Sequence, residues 1–255
     1  MESSTRDSWT TLCADHELDY LASRTPFERG RGLALDESYR LAHLPLVAPD
    51  HPRVIAFREG RYYRRGRHER VYSLGMPVAD QPLRRSEAYG ALEAELKASV
   101  LAPKIAWDIV ELRRHKLHAT ICGSLSVGEP PSLDRKQRDA LRALGPISAE
   151  LRGLFSGNVN CGRLYLRVYP EKRDGMNMFR RIQQVLGRRE TLLYVVGVYN
   201  LVDDLDAAEA AILSDLIARW WDRPILRLQL DALWLLGATD DLVLGPSTVE
   251  TIPLA

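Results

Sequence analysis

The chain has 255 residues, of which 45% are hydrophobic and 27% charged, with a formal net charge of +1. That balance belongs to an ordinary globular domain and excludes a disordered, collagen-like or coiled-coil chain. The longest uncharged, mostly apolar stretch, 191–202, has twelve residues, where a membrane-spanning helix needs about twenty. The opening MESSTRDSWTT carries acids and hydroxyls in place of the basic start and apolar run of a secretory signal, so a cytoplasmic protein is expected. Cys13, Cys122 and Cys161 are odd in number, far apart and without a CxxC, the usage of reduced thiols. No metal and no cofactor is expected. The 35 basic residues divide into 30 Arg and 5 Lys. Codon bias in a GC-rich genome accounts for such a total, but not for a local cluster. Arginines 53, 58, 61, 64, 65, 67 and 70, with His68, face only Glu59 and Glu69, which makes a basic stripe.

Residues 1–50 show weak periodicity and a Pro-rich end, and read as an irregular extension with one or two short helices; 1–70 is set apart from a domain spanning 71–255. VYSLGMPV at 71–78 predicts a strand. Ser86 then offers an N-cap to a helix with Tyr89, Leu92, Leu96 and Val100 on one face. The β-branched runs 105–110 and 117–125 predict two strands of a hairpin-like pair. Asp134 caps a helix through 144, Gly145-Pro146 breaks it, and the alternation over 147–154 predicts a strand. In GRLYLRVYP, Leu164, Leu166 and Val168 share one face, while Arg163, Tyr165, Arg167 and Tyr169 share the other. A helix over 177–186, a strand over 192–201, a helix over 206–221 capped near Asp204 with Ala208, Ile212, Leu216 and Trp220 inward, and strands over 225–235 and 242–254 complete the chain. Pro146 followed by two strands matches Pro224 followed by two strands, and the helix capped at 134 matches the one capped near 204. The order therefore predicts an α+β fold of two related, intertwined lobes, roughly 71–170 and 171–255, whose antiparallel sheets share a central cleft.

Within LHATICGSL, His118 and Thr120 stand two apart on a strand and so point the same way, about 7 Å from each other. An imidazole passes protons near neutrality and a hydroxyl donates to an anionic oxygen, a pairing that suits a phosphodiester. The plain alternative is a buried histidine satisfied by a neighbour. His115 and His118 face opposite sides of a strand, against a shared metal ion. Asp203, Asp204 and Asp206 read as capping residues of the helix that follows.

LHATICGSL, in its order of strand, helix, strand, motif, helix, strand, strand, with PISAELRGL, GRLYLRV and a closing TIPLA, resembles the two-histidine phosphoesterases, which include LigT-like RNA 2′,5′-ligase-like proteins and cyclic phosphodiesterases. The resemblance covers 71–255. It implies that His118 is a catalytic general acid or base and that Thr120 binds phosphate. A second His-x-Thr is impossible, because His118 is the last of the six histidines. Aligning GSL at 123–125 with YNL at 199–201 puts Tyr194 where the second histidine belongs and Val196 where its hydroxyl partner belongs. A tyrosine donates a proton but is a poor base near pH 7. Arg163, Tyr165, Arg167 and Arg227 are then the candidates to bind substrate and stabilise charge. Two functions remain: a metal-independent phosphoesterase acting on cyclic phosphate or RNA ends, and a non-catalytic binder of nucleotide or RNA on the same fold.

Overall fold

The computed structural model describes residues 10–245 and 247–255; residues 1–9 of the expected extension lie outside the described residues. The strands are β1 (Arg67–Pro77), β2 (His118–Val127), β3 (Ile147–Ser156), β4 (Arg163–Pro170), β5 (Lys172–Arg173), β6 (Met176–Asn177), β7 (Val195–Asn200), β8 (Pro224–Leu230), β9 (Ala232–Asp240) and β10 (Thr248–Pro253). The helices are α1 (Tyr20–Ser23), α2 (Glu37–Ala42), α3 (Leu44–Val47), α4 (Asp80–Arg85), α5 (Glu87–Ala98), α6 (Trp107–Arg113), α7 (Arg135–Arg142), α8 (Met178–Val185) and α9 (Ala207–Trp220). Apart from the small β5–β6 hairpin, the strands form one curled antiparallel sheet of order β10-β9-β1-β2-β7-β4-β3-β8.

That order is the α+β bilobal fold. Four strands, β10-β9-β1-β2, make one half and β7-β4-β3-β8 the other, joined at a seam where Ala119 pairs with Val196. Read from the seam outward, β2 matches β7, β1 matches β4, β9 matches β3 and β10 matches β8. The strands carrying 117–125 and 192–201 therefore occupy equivalent places. Neither half is contiguous in sequence. Helices cover one face, α8 against β2 and α9 against β3. Under them Ala119, Ile121, Leu164, Leu166, Val168, Val196 and Val198 form the core, and Asp134 and Asp206 cap α7 and α9 through their carboxylates.

Four local expectations fail for physical reasons. Residues 107–113 are helical, because Ile109, Val110 and Arg113 recur at helical spacing and bury one stripe; only Ile105 keeps a strand contact, with Leu201. The run 225–235 is two strands turning at Asp231, and the last strand is only β10. On α9 the buried stripe is Ala210, Leu213, Leu216 and Trp220, with Ala208 exposed, and on α5 it stops at Leu96, leaving Val100 exposed. Of the three aspartates before α9 only Asp206 caps it; Asp203 pairs with Lys104, and Asp204 accepts from the Leu35 N–H and pairs with Arg53.

The N-terminal segment decides what remains of the cleft. Tyr20 is fully buried, edge-on to Phe155 (5.8 Å) and tilted on Tyr169 (5.4 Å), and its hydroxyl, with one hydrogen to donate, lies between the carbonyls of Val168 (2.5 Å) and Tyr194 (2.8 Å). Asp15 reaches Arg167 at 3.3 Å, and Tyr39 donates to the Leu201 carbonyl at 2.7 Å. Residues 15–39 thus fill the inner face of the β7-β4-β3-β8 half. The inner face of the other half stays open.

Candidate functional site

The open half forms a cavity of about 600 Å³, lined by side chains of β1, β2 and β4, of the turn after β9, and of the segment before β1. Alternation along β2 sends Ala119 and Ile121 into the core and leaves His118 and Thr120 on the cavity floor. Between Tyr72↔Ser126 and Leu74↔Cys122, two steps of β1 oppose four of β2. This bulge, with Ser124 at φ 49°, turns Gly123 and Ser124 into the cavity as well. Gly75 pairs with Thr120; a Cβ there would crowd the Ala119 carbonyl at 3.1 Å, while His118 Cδ2 at 3.4 Å would be an ordinary contact.

His118 Nδ1 lies 2.7 Å from the Lys116 carbonyl. A carbonyl only accepts, so Nδ1 carries the hydrogen and Nε2 keeps its lone pair in the neutral ring. Burial pushes the His118 pKa down to about 4; the Arg113 and Arg163 cations add to the effect, and the Lys116 bond works against it. At neutral pH the ring is an uncharged acceptor. Arg163 lies over Gly197, where a Cβ would overlap its guanidinium, and donates from Nη1 to the Asp241 carbonyl at 3.0 Å. Its Nε is buried without a partner among the described residues.

Of the seven residues singled out in the sequence, the cavity brings together His118, Thr120 and Arg163. Tyr165 stands behind them, its ring 5.5 Å from the Arg163 guanidinium. The other three are elsewhere. Tyr194 is fully buried on the helix-covered face, edge-on to Phe179 at 5.1 Å, with its hydroxyl donated to the Thr191 carbonyl; burial pushes its pKa up. The pairing of Ala119 with Val196 puts Gly197 and Val195 on the cavity side, one residue out of step with the motif alignment. On a strand, one residue is the difference between opposite faces. Arg167 is fully buried, stacked 3.7 Å from the Trp221 ring centroid and bonded to Asp15, Tyr169 and the Trp221 carbonyl. Arg227 is on the edge strand β8, half exposed and paired with Glu150 at 3.3 Å.

The cavity also holds groups that the sequence did not assign to the site, among them His68, which the sequence placed only in the basic stripe. His68 places Nδ1 2.6 Å from the Glu69 carbonyl and Nε2 3.3 Å from Asp241 Oδ1, with its side chain 4% exposed. Both ring nitrogens face acceptors, an arrangement that only the doubly protonated ring satisfies. Burial lowers the His68 pKa, but the bonds to Asp241 and Glu69 outweigh it and leave the value raised. Asp241 also accepts from the Tyr63 hydroxyl at 2.6 Å. Burial would raise its pKa, yet the His68 bond, His43, Tyr63 and Arg163 bring it down to about 2. His43 lies 3.9 Å from the same carboxylate, and burial first, then Arg163, holds it neutral with a pKa of about 3. Three of the six histidines thus line one cavity, His43 from the link between α2 and α3, His68 from β1 and His118 from β2. The sequence pointed to His68 through the basic stripe and not through a strand face, because the strand was expected to begin at 71 and β1 begins at Arg67. Among the described residues no three His, Cys, Asp or Glu side chains gather in a metal-holding arrangement.

No protein-family model matches the chain, and no curated protein matches it. Among solved structures, the crystal structure of TT0787 of Thermus thermophilus is similar over 72% of this chain and 97% of that one, at 15% identity and a TM-score of 0.37.

Proposed function

We propose that the cavity is the active site of a two-histidine-type phosphoesterase that hydrolyses cyclic phosphates or RNA-end phosphodiesters without a metal. The observation that carries the reading is one cavity lined by two histidines in opposed hydrogen-bond settings, His118 with Nδ1 on a carbonyl and Nε2 free, and His68 with both ring nitrogens on acceptors. Water attacks phosphorus and gives its proton to His118 Nε2. The bond from phosphorus to the 2′ or 3′ oxygen breaks, that oxygen takes a proton from solvent, and the His68 imidazolium, held by Asp241 and the Glu69 carbonyl, stabilises the negative charge that develops. Thr120 and Arg163 hold the phosphate oxygens. A bound phosphate also offsets the Arg163 cation beside His118 and so raises the basicity of the ring.

Hydrolysis of a 2′,3′-cyclic nucleotide in the presence of a chelator tests this. His118→Ala is expected to lose about a hundredfold or more in rate. The pH dependence of kcat/KM should fall on the acid side as His118 is protonated and on the alkaline side as His68 loses its proton, and Asp241→Asn should shift the alkaline limb to lower pH. An unchanged rate for His118→Ala would remove it from the mechanism. A second reading, a binder of nucleotide or RNA that turns nothing over, draws on the lack of a second His-x-Thr: at that place β7 has Gly197 under the Arg163 guanidinium. Saturable binding with no turnover in the wild type would select it.

A further inference from the structure

The basic stripe ends at the cavity. Residues 56–67 fold back on themselves, with the Arg65 N–H donating to the Ala56 carbonyl at 2.7 Å, a bridge between Phe57 and Arg64, and left-handed turns at Gly60 (φ 75°) and Gly66 (φ 74°). At the inner end Tyr62 stacks on Tyr63 with centroids 4.3 Å apart and planes at 28°. Tyr63 is anchored to Asp241 through its hydroxyl, and His68 stands edge-on to both rings at 5.5 Å. Tyr62 is held by these contacts, yet it is 64% exposed and lines the same cavity as His118. The arginines divide in the same way. Arg53, Arg58 and Arg67 are matched by Asp204, Glu37 and Asp240, and Arg64 lies over the Phe57 ring, whereas Arg61 and Arg65 form no ion pair among the described residues. A pre-ordered aromatic face beside unmatched guanidinium forks is what single-stranded nucleic acid recognises: rings take bases and forks take phosphates.

We infer that residues 57–67 are a single-stranded RNA-binding finger, in which Tyr62 stacks on the base next to the reacting phosphate and Arg61 and Arg65 take the phosphates beyond it. This rests on the phosphoesterase reading of the cavity and makes its substrate an RNA strand. A free cyclic nucleotide would engage the ring but neither arginine.

Fluorescence anisotropy with a short labelled RNA ending in a 2′,3′-cyclic phosphate tests the finger, with turnover of the same RNA followed in parallel. Tyr62→Ala should weaken binding about tenfold or more, and Tyr62→Trp should retain it. Arg61→Ala/Arg65→Ala should reduce the slope of log affinity against log salt by about 1.4, or about 0.7 for each lost phosphate contact on a single strand. All three positions are exposed, so circular dichroism should show each variant folded. Affinity within twofold of wild type for Tyr62→Ala, or an unchanged salt slope for the double variant, overturns the finger. If turnover still depends on His118 in that case, the phosphoesterase reading survives alone. Binding that depends on Tyr62 without turnover in the wild type upholds the finger and sinks the phosphoesterase reading instead.

Discussion

Gly197→Ala tests the register that builds the site. The added methyl group would overlap the Arg163 guanidinium at Nε, Cζ and Nη2, so the side chain must leave its place and surrender the bond to the Asp241 carbonyl. The guanidinium ends a flexible side chain and moves aside, so the cost is the lost hydrogen bond from a charged donor, about 1.5–3 kcal/mol. Against this, alanine in a strand gains roughly 0.5–1 kcal/mol over glycine. The single substitution should therefore destabilise by about 2 kcal/mol, which for a chain of this size lowers Tm by about 4–8 °C. In an Arg163→Ala background nothing is left to overlap, and the same glycine replacement should become neutral or slightly stabilising. Urea unfolding of wild type, both single variants and the double variant closes the cycle, with an expected coupling of about 2 kcal/mol. Additivity within about 0.5 kcal/mol would refute the placement of Arg163 over β7, and with it the finding that Gly197, not Val196, shares the sheet face of Arg163.

Three further outcomes follow from the same geometry. His43 and His118 are held neutral at about 3 and about 4, below the ordinary 6.5, so the unfolded chain takes up protons first on acidification. Stability should fall as pH drops from about 6.5 toward 4, by up to about 1.4 kcal/mol per pH unit for each ring; urea unfolding at pH 7 and pH 5 should differ by roughly 3 kcal/mol, and equal values would refute the buried neutral state. The raised His68 acts in the other direction, its contribution complete below the usual histidine value and lost as pH rises through the folded one. Arg167→Leu removes the cation beside Asp15, which keeps only its bonds from Tyr169 and Trp221 Nε1, and should cost about 3 kcal/mol in thermal unfolding, without changing phosphate binding in the cavity. Arg227→Ala removes a largely exposed arginine and leaves the buried Glu150 its 2.7 Å pair with Arg152, so it should stay within about 0.5 kcal/mol. Loss of phosphate binding in Arg167→Leu with the fold intact would return Arg167 to the site.

His118 and Thr120 were legible as a pair because strand alternation is a local rule, and the same rule placed Arg163, Tyr165 and Arg167 on one face. The bilobal order was legible because caps such as Asp134 and breaks such as Gly145-Pro146 act within a few residues. Residues 107–113 were misread because a short β-branched run is compatible with strand or helix until a neighbour buries one of its stripes.

Other features took shape only in the tertiary structure. The face that holds Arg167 is covered because Asp15 and Tyr20, about 150 residues earlier, pack onto it. That long-range contact has no local signature, and it leaves half of a symmetric cleft as the site. Tyr194 and Gly197 trade places in the argument through the register at Ala119↔Val196, which hydrogen bonding across the seam sets and no period within either strand can specify. His68 belongs to the site because Asp241, beyond the last residue of β9, comes within 3.3 Å of it. Charge pairing between segments so far apart along the chain exists only once the sheet has curled.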